Sequence, residues 1–264
     1  MAALRFVRHQ RTLKNMCGRY VIAKATADLA DAAGADWAAE TLWQPSYNIA
    51  PTTSVPVLVE RAEADGELKR ELHLAHWGLI PPWAKDTKVG ARAFNARSET
   101  VTEKPTFKKP ILSQRCALVA DGYYEWEKDS AGNKTPHYVH PANSGAEGEG
   151  LIFFAGIYQW WKTPEGKWLL SASMLTMDSP SPEDPDPTLA KLARLHHRIP
   201  IALDPAQLDH WIQPQDLSTE EAQGLVASAA EHCFDIAKTW HVEPVGKAVG
   251  NVRNNSPELI TPVR

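Results

Sequence analysis

Cysteine is scarce in this chain: three residues in 264, with no paired spacing. That argues against a disulfide framework and suits a reducing cytosol. Long apolar runs are also missing. The longest, Leu151 to Trp161, is interrupted by Gln159 and falls short of the roughly 20 residues that span a bilayer. Positive charge is not in excess, since 28 Lys and Arg face 32 Asp and Glu for a net charge of −4. The overall balance therefore does not advertise a nucleic-acid binder. The usual catalytic signatures are absent: no Walker A loop, no G-x-G-x-x-G, no G-x-S-x-G and no H-E-x-x-H. His73-x2-His76 and His137-x2-His140 do not make a metal site, because residues three apart on a strand point to opposite faces and no Cys or carboxylate cluster accompanies them. No metal and no cofactor are expected.

The net charge hides local contrast. Asp178 to Thr188 holds four acids and no base, and Glu60 to Glu71 is also acid-rich. Setting these aside leaves a more basic remainder that includes Arg19, Lys85, Lys88, Arg92, Arg97, Arg115 and Arg198. The leader Met1 to Met16 has four basic residues, no acid and no apolar core, so it is not a secretory signal. An upstream start codon chosen in error is its simplest explanation, with a short transit peptide and a removable propeptide as the others. The expected organisation is a leader over 1–16, absent or removed in the mature protein, followed by one domain over 17–264.

Much of that domain reads as strand. Residues 55–60, 71–77, 115–120, 151–158, 168–176 and 199–203 are short and apolar or alternating. Helices are fewer. Thr26 to Ala33 is one. Asp204-Pro205 has the pattern of an N-cap followed by a first-turn proline. Ser218-x2-Glu221 has capping-box spacing and opens a helix to about Ala230. Loops fall at 129–134, 143–150 and 178–187. Strands and helices do not alternate regularly, which points to α+β.

The residue with the most chemistry is Cys17, in Met16-Cys17-Gly18-Arg19-Tyr20. Removal of Met16 puts an α-amine and a thiol on adjacent carbons. The amine's pKa of about 7.7–8.0 leaves far more of it nucleophilic at neutral pH than a lysine. The thiol, with a pKa near 8.5, is a second nucleophile. An aldehyde meeting this pair forms an imine and then closes to a thiazolidine, which no internal cysteine can do. The alternative is a small buried cysteine after an arbitrary methionine.

Other segments combine polar groups with aromatics: Tyr47-Asn48-Ile49-Ala50-Pro51, His76 to Trp83, Phe94-Asn95-Ala96-Arg97-Ser98-Glu99, Asp121 to Trp126, and Leu195-His196-His197-Arg198. Taken singly, each has a plain structural reading. Trp77 is then core, Asn95 a turn residue, Glu125 a solvent-facing strand residue and His196 a helix C-terminal cation. Together with the Cys17 motif and the stretch Gly246 to Arg253, they closely resemble the SOS-response-associated peptidase (SRAP) family of abasic-site crosslinking proteins. The resemblance covers nearly the whole chain after the leader, with the motifs in family order.

This resemblance implies a single β-rich α+β domain with a few peripheral helices and a basic groove for single-stranded DNA. Carried over by position, it implies Cys17 as nucleophile, supported by the amide of Asn95, the carboxylate of Glu125 and the imidazole of His196. Contacts to DNA fall on Arg19, Asn48, Arg97, Thr176 and Arg198, with Pro51 and Trp83 as an apolar wedge. The implied partner is single-stranded DNA containing abasic sites, bound by a monomer with no membrane and no obligatory protein partner, in the cytoplasm and at the nucleoid when on DNA. The chain departs from the family in the sixteen residues before Cys17 and in a long, acidic Pro/Asp tract before His196.

In the implied reaction His196 protonates the sugar ring oxygen and so opens the aldehyde. The Cys17 amine attacks C1′, Glu125 moves protons at that amine, Asn95 orients it, and the thiolate closes the ring. Closure removes an iminium that would otherwise promote β-elimination and strand cleavage. Two other readings are a thiol (auto)peptidase that removes residues 1–16 and a non-covalent reader of single-stranded DNA.

Overall fold

The computed structural model describes residues 18–143 and 150–263. In chain order the strands are β1 (Tyr20–Ile22), β2 (Asp36–Trp37), β3 (Ser46–Ile49), β4 (Ser54–Ala62), β5 (Leu68–Trp77), β6 (Asn95–Arg97), β7 (Arg115–Ala120), β8 (Gly122–Lys128), β9 (Lys134–Pro141), β10 (Ile152–Lys162), β11 (Trp168–Asp178), β12 (Arg198–Pro200), β13 (Ala202–Leu203) and β14 (Trp240–Pro244). The helices are α1 (Thr26–Ala33), α2 (Pro105–Ser113), α3 (Pro187–Leu195), α4 (Pro205–Ile212) and α5 (Thr219–Ala237). Among the described residues no helix is long and apolar enough to cross a membrane.

Five strands, β5-β4-β7-β10-β11, run side by side and close on themselves where β11 pairs in parallel with β5, Ser171 opposite His76 and Ala172 opposite Trp77. The result is a barrel core within a β-rich α+β fold. A second sheet, β14-β9-β8-β1-β3, shares the barrel's apolar core through Tyr20, Ile22, Tyr123, Val139, Trp240 and Val242.

Strand β1 is covered on both faces. Tyr20 and Ile22 enter the main core, whereas Val21 and Ala23 enter a smaller cluster with Tyr124, Tyr138, Val245, Val249 and Leu259. Two-sided burial explains why Tyr20 to Ala23 shows no polar alternation. Burying a large apolar side chain contributes about 1.5–3 kcal/mol, so three residues of strand carry more anchoring than their length suggests.

The helix starts follow their caps. Asp204 accepts the Gln207 N–H at the start of α4, and the Ser218–Glu221 capping box is formed in both directions. Helix α5 continues to Ala237, beyond the expected Ala230. Two helices escape the sequence pattern. Helix α2 has Pro110 in its interior, and α3 begins inside the Pro/Asp tract, where Asp186 caps the Thr188 and Leu189 N–H groups. Arg115, one of the basic candidates, is buried. It donates to the carbonyls of Ile111, Leu112, Trp211, Gln213 and Gln215, which gather at the ends of α2 and α4.

After Trp77 the chain crosses itself at two glycines. A Cβ on Gly78, whose φ is +143°, would lie 2.5 Å from the Gly90 carbonyl oxygen. This close approach seats the 3₁₀ turn Thr87–Arg92 and sets the height at which β6 begins. Gly78→Ala is expected to destabilise the protein by about 2 kcal/mol or more, read as a lower urea midpoint at unchanged m-value.

Candidate active site

Cys17 lies outside the described residues; the structure begins with Gly18 and Arg19, which follow it. Strand β1 runs antiparallel to β8, with Tyr20 opposite Tyr123 and Val21 opposite Gly122. The Tyr124 N–H donates to the Arg19 carbonyl at 2.9 Å. Followed back to Gly18, this register leads toward Glu125. Glu125 is buried, not solvent-facing, and alternation on β8 puts it on the same face as Tyr123. Directly opposite Glu125 on β9 is His137, also buried, whose burial pushes its pKa down. His137 entered the sequence reading only as half of a metal pair. Its cross-strand position beside Glu125 depends on a pairing that the sequence does not display.

Asn95 opens β6, which lies parallel to β11 with Asn95 opposite Met174 and Arg97 opposite Thr176. On the other edge of β11, β12 places Pro200 opposite Thr176 and Arg198 opposite Asp178. Three expected site segments therefore lie side by side. Trp77 joins them to β1. Its buried ring meets Tyr20 edge-on at 4.8 Å and Phe94 at 5.7 Å, and its Nε1–H donates to the Phe94 carbonyl at 3.0 Å. Trp77 is thus core, and it connects the strand after Cys17 with the strand that starts at Asn95.

His196 is the C-cap of α3, in extended conformation, and α3 packs against β8. The Arg198 N–H donates to His196 Nδ1 at 3.1 Å. Nδ1 also lies 3.2 Å from the Arg198 carbonyl, so both of these ring contacts are to the Arg198 backbone. The Ser179 hydroxyl and N–H hold the His196 and His197 carbonyls, and the two imidazoles lie 4.2 Å apart. The acidic tract before His196 thus builds the site's frame: Ser179 fixes the backbone, Asp178 binds Arg198, and Asp186 starts α3.

The residues expected at DNA divide into two groups. Trp83 is 63% exposed. Its turn is held by the Trp161 Nε1–H, which donates to the Ala84 carbonyl. Arg97 is exposed and Pro51 half-buried. Thr52, next to Pro51, has φ +73°, an uncommon state for a β-branched residue. It is held there by its N–H bond to the Trp77 carbonyl.

The second group is engaged inside the protein. Asn48 is buried; its Oδ1 accepts from Arg19 Nη1 at 2.9 Å, and its Nδ2 faces the carbonyls of Val249, Asn251 and Asn254. Thr176 is fully buried. Arg198 is 3% exposed. It forms a two-bond pair with Glu99 at 2.7 and 2.9 Å and also meets Asp178 and the Thr176 carbonyl. Sequence pattern alone did not separate these groups, because an Arg on a phosphate and an Arg on a carboxylate use the same fork of donors.

Desolvation alone would raise the Glu99 pKa. The Arg198 hydrogen bonds and charge outweigh it and hold the carboxyl below its ordinary 4.5. Among the described residues, no cluster of His, Cys, Asp and Glu is arranged to hold a metal ion.

Residues 16–252 match the family model described as SOS response associated peptidase (SRAP). The Abasic site processing protein YoqW of Bacillus subtilis (strain 168) is 34% identical over 246 residues, covering 93% of this chain and 99% of that protein. The Abasic site processing protein HMCES of Gallus gallus is 32% identical over an aligned length of 281, covering 94% of this chain and 78% of that one. A crystal structure of a protein from Bacteroides thetaiotaomicron shares the fold, with a TM-score of 0.72 at 21% identity, covering 94% of this chain and all of the other.

A depressed carboxylate pKa stabilises the folded state fully above the unfolded value, and this contribution is lost as pH falls through the folded value. Arg198→Met should remove that stabilisation for Glu99 and leave the carboxylates unpaired. The partners are partly exposed and screened, so the expected loss is about 1–3 kcal/mol at pH 7. Denaturant titrations at several pH values should show the gap between variant and parent narrowing below pH 4.5. A constant gap would mean that the ion cluster is not its source.

Proposed function

Because the chain belongs to the SRAP family, we propose that its mature form begins at Cys17 and captures abasic sites in single-stranded DNA as a thiazolidine. The carrying observation is the β1–β8 register, which runs from Arg19 toward the buried Glu125 while Trp77 ties the same strand to Asn95. The printed names of the relatives, abasic site processing proteins, and a family match that starts at residue 16 support the reading.

The chemistry balances without a cofactor. His196 donates a proton to the ring oxygen of the closed sugar as the C1′–O bond breaks, and the C1′ hydroxyl gives its proton to solvent, which releases the C1′ aldehyde. The α-amine of Cys17 adds to C1′, and water leaves to give an iminium. Glu125 carries protons from the amine to the departing hydroxyl, and Asn95 orients the nitrogen. The Cys17 thiolate then adds to C1′ and closes a five-membered ring. The net change is one aldehyde and one aminothiol converted to a thiazolidine and one water. Closure is intramolecular and gains a large effective concentration. It also discharges the iminium before the C2′ proton is lost, so the DNA backbone stays whole.

Arg97 meets a phosphate, while Trp83 and Pro51 part or stack bases, a contact worth about 1–3 kcal/mol per base. Asn48, Thr176 and Arg198 serve from behind: Asn48 braces Arg19, and Arg198 with Thr176 holds the His196 segment. The peptidase reading keeps one role here, removal of residues 1–16 by the same thiol.

Intact-mass spectrometry tests the proposal. The unaltered protein should begin at Cys17 and gain the mass of an abasic oligonucleotide less one water. Cys17→Ser should lose the stable adduct but retain a borohydride-reducible imine, because the amine remains. An equally stable adduct on chains that still begin at Met1 would overturn the aminothiol step.

A further inference from the structure

The stretch Gly246 to Arg253 stands out in sequence but has no part in the chemistry above. In the structure it is a strap bound to the residues that follow Cys17. Its Val249 carbonyl accepts from Arg19 Nη1 at 3.0 Å and from Asn48 Nδ2 at 3.2 Å. The Asn251 and Asn254 carbonyls also converge on Asn48 Nδ2, and Asn255 Oδ1 accepts the Tyr47 N–H. Beneath, Val245 and Val249 close the smaller apolar cluster on the back of β1. Internal bonds stiffen the strap further: Asn251 Oδ1 accepts the Arg253 N–H, and Asn254 Nδ2 donates to the Ala248 carbonyl.

With its carbonyls turned inward, the strap presents Lys247, Val252 and Arg253 to solvent. From Val245 to Pro257 it contains no acidic residue, in a chain whose net charge is −4. A rigid, acid-free loop with two exposed cations, bonded to the guanidinium two residues from Cys17, complements a polyanion. Its rigidity lowers the ordering cost of binding.

We infer that the strap over residues 246–255 is a wall of the nucleic-acid groove, on which Lys247 and Arg253 hold backbone phosphates of single-stranded DNA next to the Cys17 end of the chain. This rests on the proposed function for the identity of the ligand, but not on its covalent step. Phosphate contacts of this kind position the strand and are independent of its sequence.

The test is fluorescence anisotropy of the full chain with an undamaged, labelled oligothymidylate over a range of salt. Removing one cation that neutralises a phosphate should reduce the slope of log K against log salt by about 0.7 for a single strand. Lys247→Ala with Arg253→Ala should therefore reduce it by about 1.4, and weaken low-salt binding several-fold. Exchanging the cations, Lys247→Arg with Arg253→Lys, should preserve the slope. Lys167→Ala, exposed in the turn between β10 and β11, should match the parent. A double-alanine slope equal to the parent's, a reduced slope in the cation exchange, or no binding by the parent would each overturn the inference. The probe carries no aldehyde, so failure of the strap leaves aldehyde capture standing. Failure of capture likewise leaves the strap standing.

Discussion

The barrel closes at Trp77, and the arrangement of the site depends on that closure. Strands β5 and β11 pair in parallel for only two residues, Ser171 with His76 and Ala172 with Trp77. At that seam the Trp77 indole fills the space between Tyr20 and Phe94 and donates its only polar hydrogen to the Phe94 carbonyl. A buried indole N–H without a partner costs about 1–3 kcal/mol, so the ring has one comfortable orientation. That orientation fixes Phe94, and Phe94 fixes the start of β6. The Gly78–Gly90 crossing just beyond Trp77 is a consequence of the same seam: the chain must turn away from the barrel wall at once, and only residues without Cβ can pass so closely.

Electrostatics acts on a second line. Lys24 and Asp121 form a buried pair at 2.8 Å, and Asp121 also accepts the Ala23 N–H at 2.6 Å. A buried ion pair is weak evidence of net stability, because desolvation offsets the attraction. Its effect is on alternatives. A one-residue slip of β1 along β8 would bury both charges unpaired, at a cost of several kcal/mol. At the other end of β1, Arg19 is held by Asn48 and Val249. The strand is therefore locked in register from both ends. The Arg198 cluster does the same for β12, so His196 and β6 share one frame through Glu99.

Elements with local signals were legible in the sequence. β7 runs over Arg115–Ala120 as read, and α4 starts at its Asp204 cap. The five-stranded sheet was less so. β8 carries Glu125 among aromatics, β9 has two prolines and two histidines, and neither alternates cleanly, because β8 and β9 are buried by cross-strand neighbours. Helix α3 hid behind a tract whose prolines and aspartates read as loop, although one of those aspartates is its cap. The parallel pairings of β11 with β5 and β6 left no local mark, since they join residues about eighty to a hundred positions apart. Within the site, residue types were legible and partners were not. Arg115 reads as part of a basic remainder and Arg198 as a DNA contact, yet one caps two helices and the other binds two carboxylates.

Under the proposed function, this organisation answers a difficulty in placing a nucleophile at a chain end. Chain termini fray unless tied down, and a frayed amine would spend the effective concentration that ring closure needs. Here the tie begins immediately after Cys17, the proposed nucleophile. Gly18 is the one residue between Cys17 and the anchors, Arg19 is bonded to Asn48 and the strap, and Tyr20 is packed against Trp77. The first polar anchor is two residues from Cys17 and the first apolar anchor three. A longer lead would lose orientation, and a shorter one would bury the amine, lower its access to substrate and penalise its charged form. A single glycine between nucleophile and anchor satisfies both demands. The same reasoning explains why the strap, the aromatic seam and the buried ion pair all converge on β1 rather than on the larger barrel that supports it.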